Sequence, residues 1–272
     1  GRIVVGRIVG VISLLFYLTL VFQNIDQSAA AAWQSRSILL MGIAPDIKPL
    51  PWSLVNGAGS DKKPVPRWLP LEYYESADRE RNRRLYGRDT VTLFPTMVVL
   101  HFTVIDDAES IIYAFSRPST LAVGNQRPVT SLVSVHYMVD KDGTIYQLAP
   151  ENRTTSGTYG VDYCALAIEM VAKDEKDLMS RPLQLLAAFN LTDQLLRKYK
   201  LPVWRVFSHQ EVALGNFFLS EYNDLADTES PYFYPEPHFR YDPGSTVMAW
   251  CREYLLRQRK LWEQHPASEE RP

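Results

Sequence analysis

Cysteine and strong charge are scarce in this 272-residue chain. Two cysteines, Cys164 and Cys251, allow at most one disulfide, so a disulfide framework is excluded as the basis of the fold. Cys164 heads an apolar strand and Cys251 lies in an apolar-rich helix; two separately buried thiols are expected, with pairing as the alternative. No cysteine follows the N-terminal apolar run, which excludes a lipoprotein anchor. Lys and Arg number 29 against 31 Asp and Glu, a formal charge of -2. The basic residues are scattered except over Arg79–Arg84 and Arg252–Lys260. Without a basic stripe, nucleic acid is not an expected partner. Internal repeats are lacking too. What is present is 46% hydrophobic and 12% aromatic content, enough for one substantial core or one core plus a small appendage.

The N-terminus departs from the rest. Arg2 and Arg7 precede the apolar run Ile8–Phe22, and Ser28 to Ala32 are small. This order fits a secretory signal cleaved near Ala30 to Ala32. Counted from Ile3, the run also has nearly the length of a spanning helix, so residues 1–32 are a signal peptide or a membrane anchor. Either places the body outside the cytoplasm, periplasmic or at the cell surface, with the membrane a partner if the segment is uncleaved. Residues 33–87 are Pro-rich and then charged, and read as a stalk or wrapping arm rather than a second core.

From about Arg88, strand and helix signals alternate. Thr96–Thr103 and Ala165–Val171 read as buried strands. Val135–Val139 and Thr144–Leu148 form a hairpin across Asp140-Lys141-Asp142-Gly143. Asp107–Phe115, Pro182–Tyr199 and Val247–Trp262 read as helices, with Pro182 suited to a first turn. Val203–Ser208 reads as a further strand. The expected class is α/β, a mixed central sheet flanked by helices, filling residues 88–263 with an insertion over 214–238 and a polar tail at 264–272.

Three residues stand where a metal site is readily built. His101 ends the run from Thr96, His209 follows Ser208, and Asp242 opens Asp242-Pro243-Gly244. Two imidazoles and a carboxylate form a zinc ligand set that leaves a fourth position open, the layout of a hydrolytic site. A histidine at a strand end is as readily a solvated or hydrogen-bonded residue, and from the residue types alone both readings stand.

The motifs taken together are more specific. His101-Phe102-Thr103, the hairpin His136-Tyr137-Met138-Val139-Asp140-Lys141-Asp142-Gly143-Thr144, Leu166-Ala167-Ile168-Glu169-Met170, Ser208-His209-Gln210-Glu211 and Asp242-Pro243-Gly244 occur in that order. Over Thr96 to Trp262 the chain resembles the type-2 N-acetylmuramoyl-L-alanine amidases, a zinc family that includes peptidoglycan recognition proteins and phage lysozyme-type amidases. The resemblance implies hydrolysis of the amide between N-acetylmuramic acid and L-alanine in peptidoglycan or muropeptides. It implies Zn2+ on His101, His209 and Asp242.

Glu169 is the expected catalytic base, a carboxylate in an apolar strand where burial favours its protonated form. Phage-type relatives use a Tyr just before the hairpin His; that position is Val135 here, so Glu169 matches the bacterial type. Arg240 stands where many relatives have a Lys that steadies the oxyanion, although its planar fork differs from an ammonium. His136 is expected to support the site without binding metal, and His238 and His265 are read as non-ligands.

Two departures follow. Relatives commonly carry a His after the hairpin where this chain has Thr155. The connection from His209 to Asp242 is long and aromatic, with Phe217, Phe218, Tyr222, Tyr232, Phe233 and Tyr234; it is expected to cover substrate as a lid or to pack as a surface excursion. The rival functions are a non-catalytic peptidoglycan-binding module and a zinc peptidase cutting within the stem peptide.

Overall fold

The computed structural model describes residues 62–123, 126–213 and 240–264. The apolar N-terminal segment, the first part of the arm, the insertion expected over 214–238, His238, His265 and the tail beyond 264 lie outside the described residues.

The apolar runs become strands. Among the described residues, β1 (Val65–Pro66), β2 (Met97–Phe102), β5 (Tyr137–Val139), β6 (Ile145–Gln147), β7 (Ala165–Met170) and β8 (Val206–Ser208) form a six-stranded sheet in the order β1-β6-β5-β7-β2-β8. β5 and β6 pair antiparallel and all other neighbours pair parallel, which is the mixed sheet the sequence implies. β2 and β7 are covered on both faces, and so they read as continuous apolar runs rather than as alternating ones.

Helices flank this sheet: α1 (Glu75–Tyr86), α2 (Ala108–Phe115), α3 (Glu175–Met179), α4 (Pro182–Lys198), α5 (His209–Ala213) and α6 (Ser245–Gln264). Pro182 opens α4, where its missing N–H costs nothing. The Asp107 carboxylate caps α2 by accepting from the Ser110 N–H. In the β5–β6 turn, Gly143 has φ +80°, and an added Cβ would lie 3.0 Å from the Leu183 carbonyl oxygen. The hairpin therefore packs its turn directly on α4.

The two faces of the sheet are built differently. Val98, Leu100, Leu166, Ile168, Met170 and Val206 join Phe189, Leu196, Val247 and Leu255 in the larger apolar core beneath α4 and α6. On the opposite face, Ala167 and Met138 pack with Ile111 of α2, and Met97, Val99, Ala165 and Phe207 form a further cluster. His101 and Glu169 belong to this second face, at the C-terminal ends of their strands, where open α/β sheets place their ligand sites. Cys164 and Cys251 are both buried and are not joined in a disulfide. Among the described residues, no helix is long and apolar enough to cross a membrane.

Three local features differ from the sequence reading. Val203–Arg205 is a 3-10 turn closed by the Arg205 N–H on the Pro202 carbonyl, and only Val206–Ser208 is strand. A second sheet joins β3 (Pro118–Val123) and β4 (Gln126–Leu132) antiparallel. The later part of the arm is built into the body: β1 extends the main sheet, and α1 buries Asp78, Arg81, Asn82 and Leu85.

Candidate metal centre

Strand register sets the first two groups side by side. β2 and β7 run parallel with His101 opposite Glu169, so both side chains leave the same face of the sheet. β8 lies on the other side of β2 and passes directly into α5, whose first residue is His209. Asp242 reaches the same point from the chain before α6, and its carbonyl accepts from the Gln210 N–H at 3.2 Å.

The start of α6 is held firmly. The Glu175 carboxylate accepts from the Thr246 N–H at 2.6 Å and the Val247 N–H at 3.2 Å, serving two of the helix's unpaired amides. Gly244 has φ +100°, and a Cβ there would come within 2.2 Å of the Glu175 side chain. Glycine is thus required where Asp242-Pro243-Gly244 turns under that carboxylate.

Three potential ligand atoms converge. His101 Nδ1 lies 3.0 Å from His209 Nδ1 and 3.2 Å from Asp242 Oδ2, and His209 Nδ1 lies 3.0 Å from that same oxygen. Among the described residues this is the group of His, Cys, Asp and Glu side chains able to hold a metal ion. No placement of protons satisfies all three contacts. One proton serves one edge of the triangle, and protons on both nitrogens place two N–H groups against each other. A single cation facing all three lone pairs serves every edge, and imidazole nitrogen with carboxylate oxygen is a donor set zinc accepts. The residues therefore fit the metal that the sequence implies.

Electrostatics separate the carboxylates. Burial drives Glu169 upward, to about 8, and the nearby charge of Asp242 adds to the effect. Burial would raise Asp242 as well, but hydrogen bonds from His101 and His209 hold it well below the usual carboxylate range. Burial lowers His101, and its neighbour His209 lowers it further. The site thus favours a neutral His101, an ionised Asp242 and a Glu169 able to carry a proton near neutral pH.

The remaining sequence candidates take distinct places. Arg240 is exposed two positions before Asp242. His136 is fully buried; its Nδ1 accepts from the Ala167 N–H and its Nε2 donates to the Arg153 carbonyl, so it ties β7 to the loop after β6. Thr155 is buried as well. Sequence reasoning missed Thr158, whose Oγ1 lies 2.9 Å from His101 Nε2. Its nearness to Gly157 and Gly160 marks a turn in the sequence, but nothing there points toward His101.

Comparison with known proteins finds a family model and several similar structures. Residues 91–225 match the family model described as N-acetylmuramoyl-L-alanine amidase. That segment holds His101, Glu169 and His209 and stops short of Asp242, which the fold brings to them. No curated protein matches the chain in sequence. Among solved structures, the chain is similar to N-acetylmuramoyl-L-alanine amidase LysC from Clostridium intestinale, with 24% identity over 44% of this chain and 73% of that one and a TM-score of 0.34. It is also similar to the Staphylococcus aureus hydrolase AmiA in complex with its ligand, with 16% identity over 73% and 85% of the two chains and a TM-score of 0.41. A third similarity is to the E. coli amidase AmiD with anhydro-N-acetylmuramic acid-L-Ala-D-gamma-Glu-L-Lys, with 19% identity over 43% and 49% and a TM-score of 0.33.

Proposed function

We propose, from the premise that this chain belongs to the type-2 N-acetylmuramoyl-L-alanine amidase family, that it hydrolyses the amide joining N-acetylmuramic acid to L-alanine in peptidoglycan or its fragments with the help of zinc. The observation that carries this reading is the triangle of His101 Nδ1, His209 Nδ1 and Asp242 Oδ2 with edges of 3.0 to 3.2 Å, next to a buried carboxylate on the adjoining strand.

In this reading His101, His209 and Asp242 hold the ion. Zinc, when bound, supplies Lewis-acid polarisation of the scissile carbonyl and lowers the pKa of water towards about 7. Glu169 takes the proton of the attacking water on its carboxylate and passes it to the leaving amine. A carboxyl displaced upward by burial is suited to both steps, because it accepts and releases a proton near working pH. Arg240, exposed two positions before Asp242, supplies positive charge to the oxygen on which negative charge develops.

A substrate in the cell wall places the work outside the cytoplasm, with residues 1–32 as signal or anchor and 33–87 as an arm whose later part, β1 and α1, joins the catalytic body of 88–263. Digestion of a defined muropeptide by the full chain, read by mass spectrometry, should release a free stem peptide beginning at L-alanine. Fragments cut within the stem peptide would make the protein a peptidase. Zinc binding without any product would make it a recognition module.

A further inference from the structure

Behind His101 lies a second buried polar group that no part of the proposed mechanism uses. His101 Nε2, the ring nitrogen turned away from the triangle, lies 2.9 Å from Thr158 Oγ1. The Thr158 N–H donates to Asp162 Oδ1 at 2.7 Å. Asp162 Oδ2 accepts from the Arg81 guanidinium at 2.6 Å and from the Tyr86 hydroxyl at 3.3 Å. The Tyr86 oxygen accepts in turn from the Gly160 N–H at 3.1 Å. Arg81, His101, Thr158 and Asp162 are all at most 4% exposed.

The order of these contacts has a direction. A buried carboxylate needs a paired charge, and Arg81 provides it from α1, a helix outside the segment that matches the family model. With its charge met, Asp162 fixes the backbone of the Thr158 turn. That turn sets the hydroxyl against His101 Nε2 and leaves Nδ1 to face His209 and Asp242. A metal-binding histidine needs this fixing, because the partner of its second nitrogen selects the tautomer and ring angle that present the first.

We infer that Thr158, anchored by Asp162 and Arg81, is the positioning residue for His101, and that α1 is thereby part of the metal site's scaffold. The inference rests on the zinc reading above. Asp162 acts through the peptide N–H of Thr158 and not as a proton carrier, since the hydroxyl and not the carboxylate meets the imidazole.

The test uses the full-length protein and two readouts, zinc affinity by competition with a chromophoric chelator and thermal unfolding of the metal-free form. Thr158→Val keeps the shape and removes the hydroxyl. It should weaken zinc binding about 10- to 100-fold, the usual cost of losing such a partner, while Thr158→Ser restores most of the affinity. Zinc affinity in Thr158→Val equal to wild type would overturn the inference. So would a loss that Thr158→Ser fails to restore while its metal-free form unfolds like wild type, because the hydroxyl would then not be the cause. A wild-type chain that takes up no zinc would overturn the proposed function and this inference with it. Affinity lost only in Thr158→Val, with wild-type binding intact, supports both.

Discussion

The molecule holds two buried polar clusters within a few residues of each other, and they are completed in opposite ways. Around Asp162, every strong contact joins a donor to an acceptor: a guanidinium, a hydroxyl and a peptide N–H all meet one carboxylate. Around Asp242, two imidazole nitrogens and a carboxylate oxygen face one another, and no proton arrangement serves all three. A protein interior tolerates the first arrangement because both oxygens of the carboxylate find donors inside the chain, one of them a cation. The second becomes comparable only when a cation joins it. A carboxylate whose partners all lie within the chain reads as scaffold, and one completed from outside reads as a site.

The largest effect expected from breaking this contrast is at Asp242. Asp242→Ala removes the one formal negative charge of the triangle, and dialysed protein should then retain well under one zinc per chain by elemental analysis. Glu169→Gln sharpens the comparison, since it leaves the triangle untouched. Zinc content should match wild type while turnover falls about 10²- to 10⁴-fold, the range for loss of a general base. Full turnover in that variant would remove Glu169 from the mechanism.

Breaking the other cluster should act on stability first. Arg81→Met leaves the Asp162 carboxylate buried without its cation, which should cost about 3–5 kcal/mol in chemical denaturation of the metal-free protein. A variant as stable as wild type would show that the two groups do not share a buried pair in solution.

The last effect is a pH dependence. Glu169 is displaced from 4.5 to about 8, so between these values the folded metal-free protein holds a proton that the unfolded chain has released. Stability from this group is present below 4.5 and is lost as pH rises towards about 8. Asp242 has the opposite sign, but its contribution is lost below its ordinary value of 3.8, outside that window. Metal-free wild type should therefore lose more stability between pH 5 and pH 8 than Glu169→Gln does, by parallel urea titrations. Equal losses would contradict the displacement.

Much of the fold was legible because its signals are local. β2 and β7 stand out as unbroken apolar runs, α2 carries its own cap and α4 a proline in its first turn, and the hairpin announces its turn with Asp-Gly. The candidate ligands were legible because His101 and His209 end or follow such an element and Asp242 opens a turn ahead of one.

What escaped is either nonlocal or polar. α1 read as a charged arm because the stripe it buries, Asp78, Arg81, Asn82 and Leu85, has helical spacing but is mostly polar, and a search for apolar periodicity passes over it. β3 and β4 carry Pro118 and Pro128 and are largely exposed at the start of β4, so neither the strand residues nor the alternation is clear. The pairing of Arg81 with Asp162 spans 81 residues, and that of Thr158 with His101 spans 57; only the folded chain brings them together.

The central claim, that one cation completes the triangle, is tested most directly by zinc-edge X-ray absorption on the full-length protein loaded with a single equivalent of zinc. The account predicts tight uptake of one ion, with two imidazole nitrogens and oxygen donors at about 2.0–2.2 Å. Failure to bind zinc, or a bound zinc whose spectrum carries no imidazole signature, would contradict it.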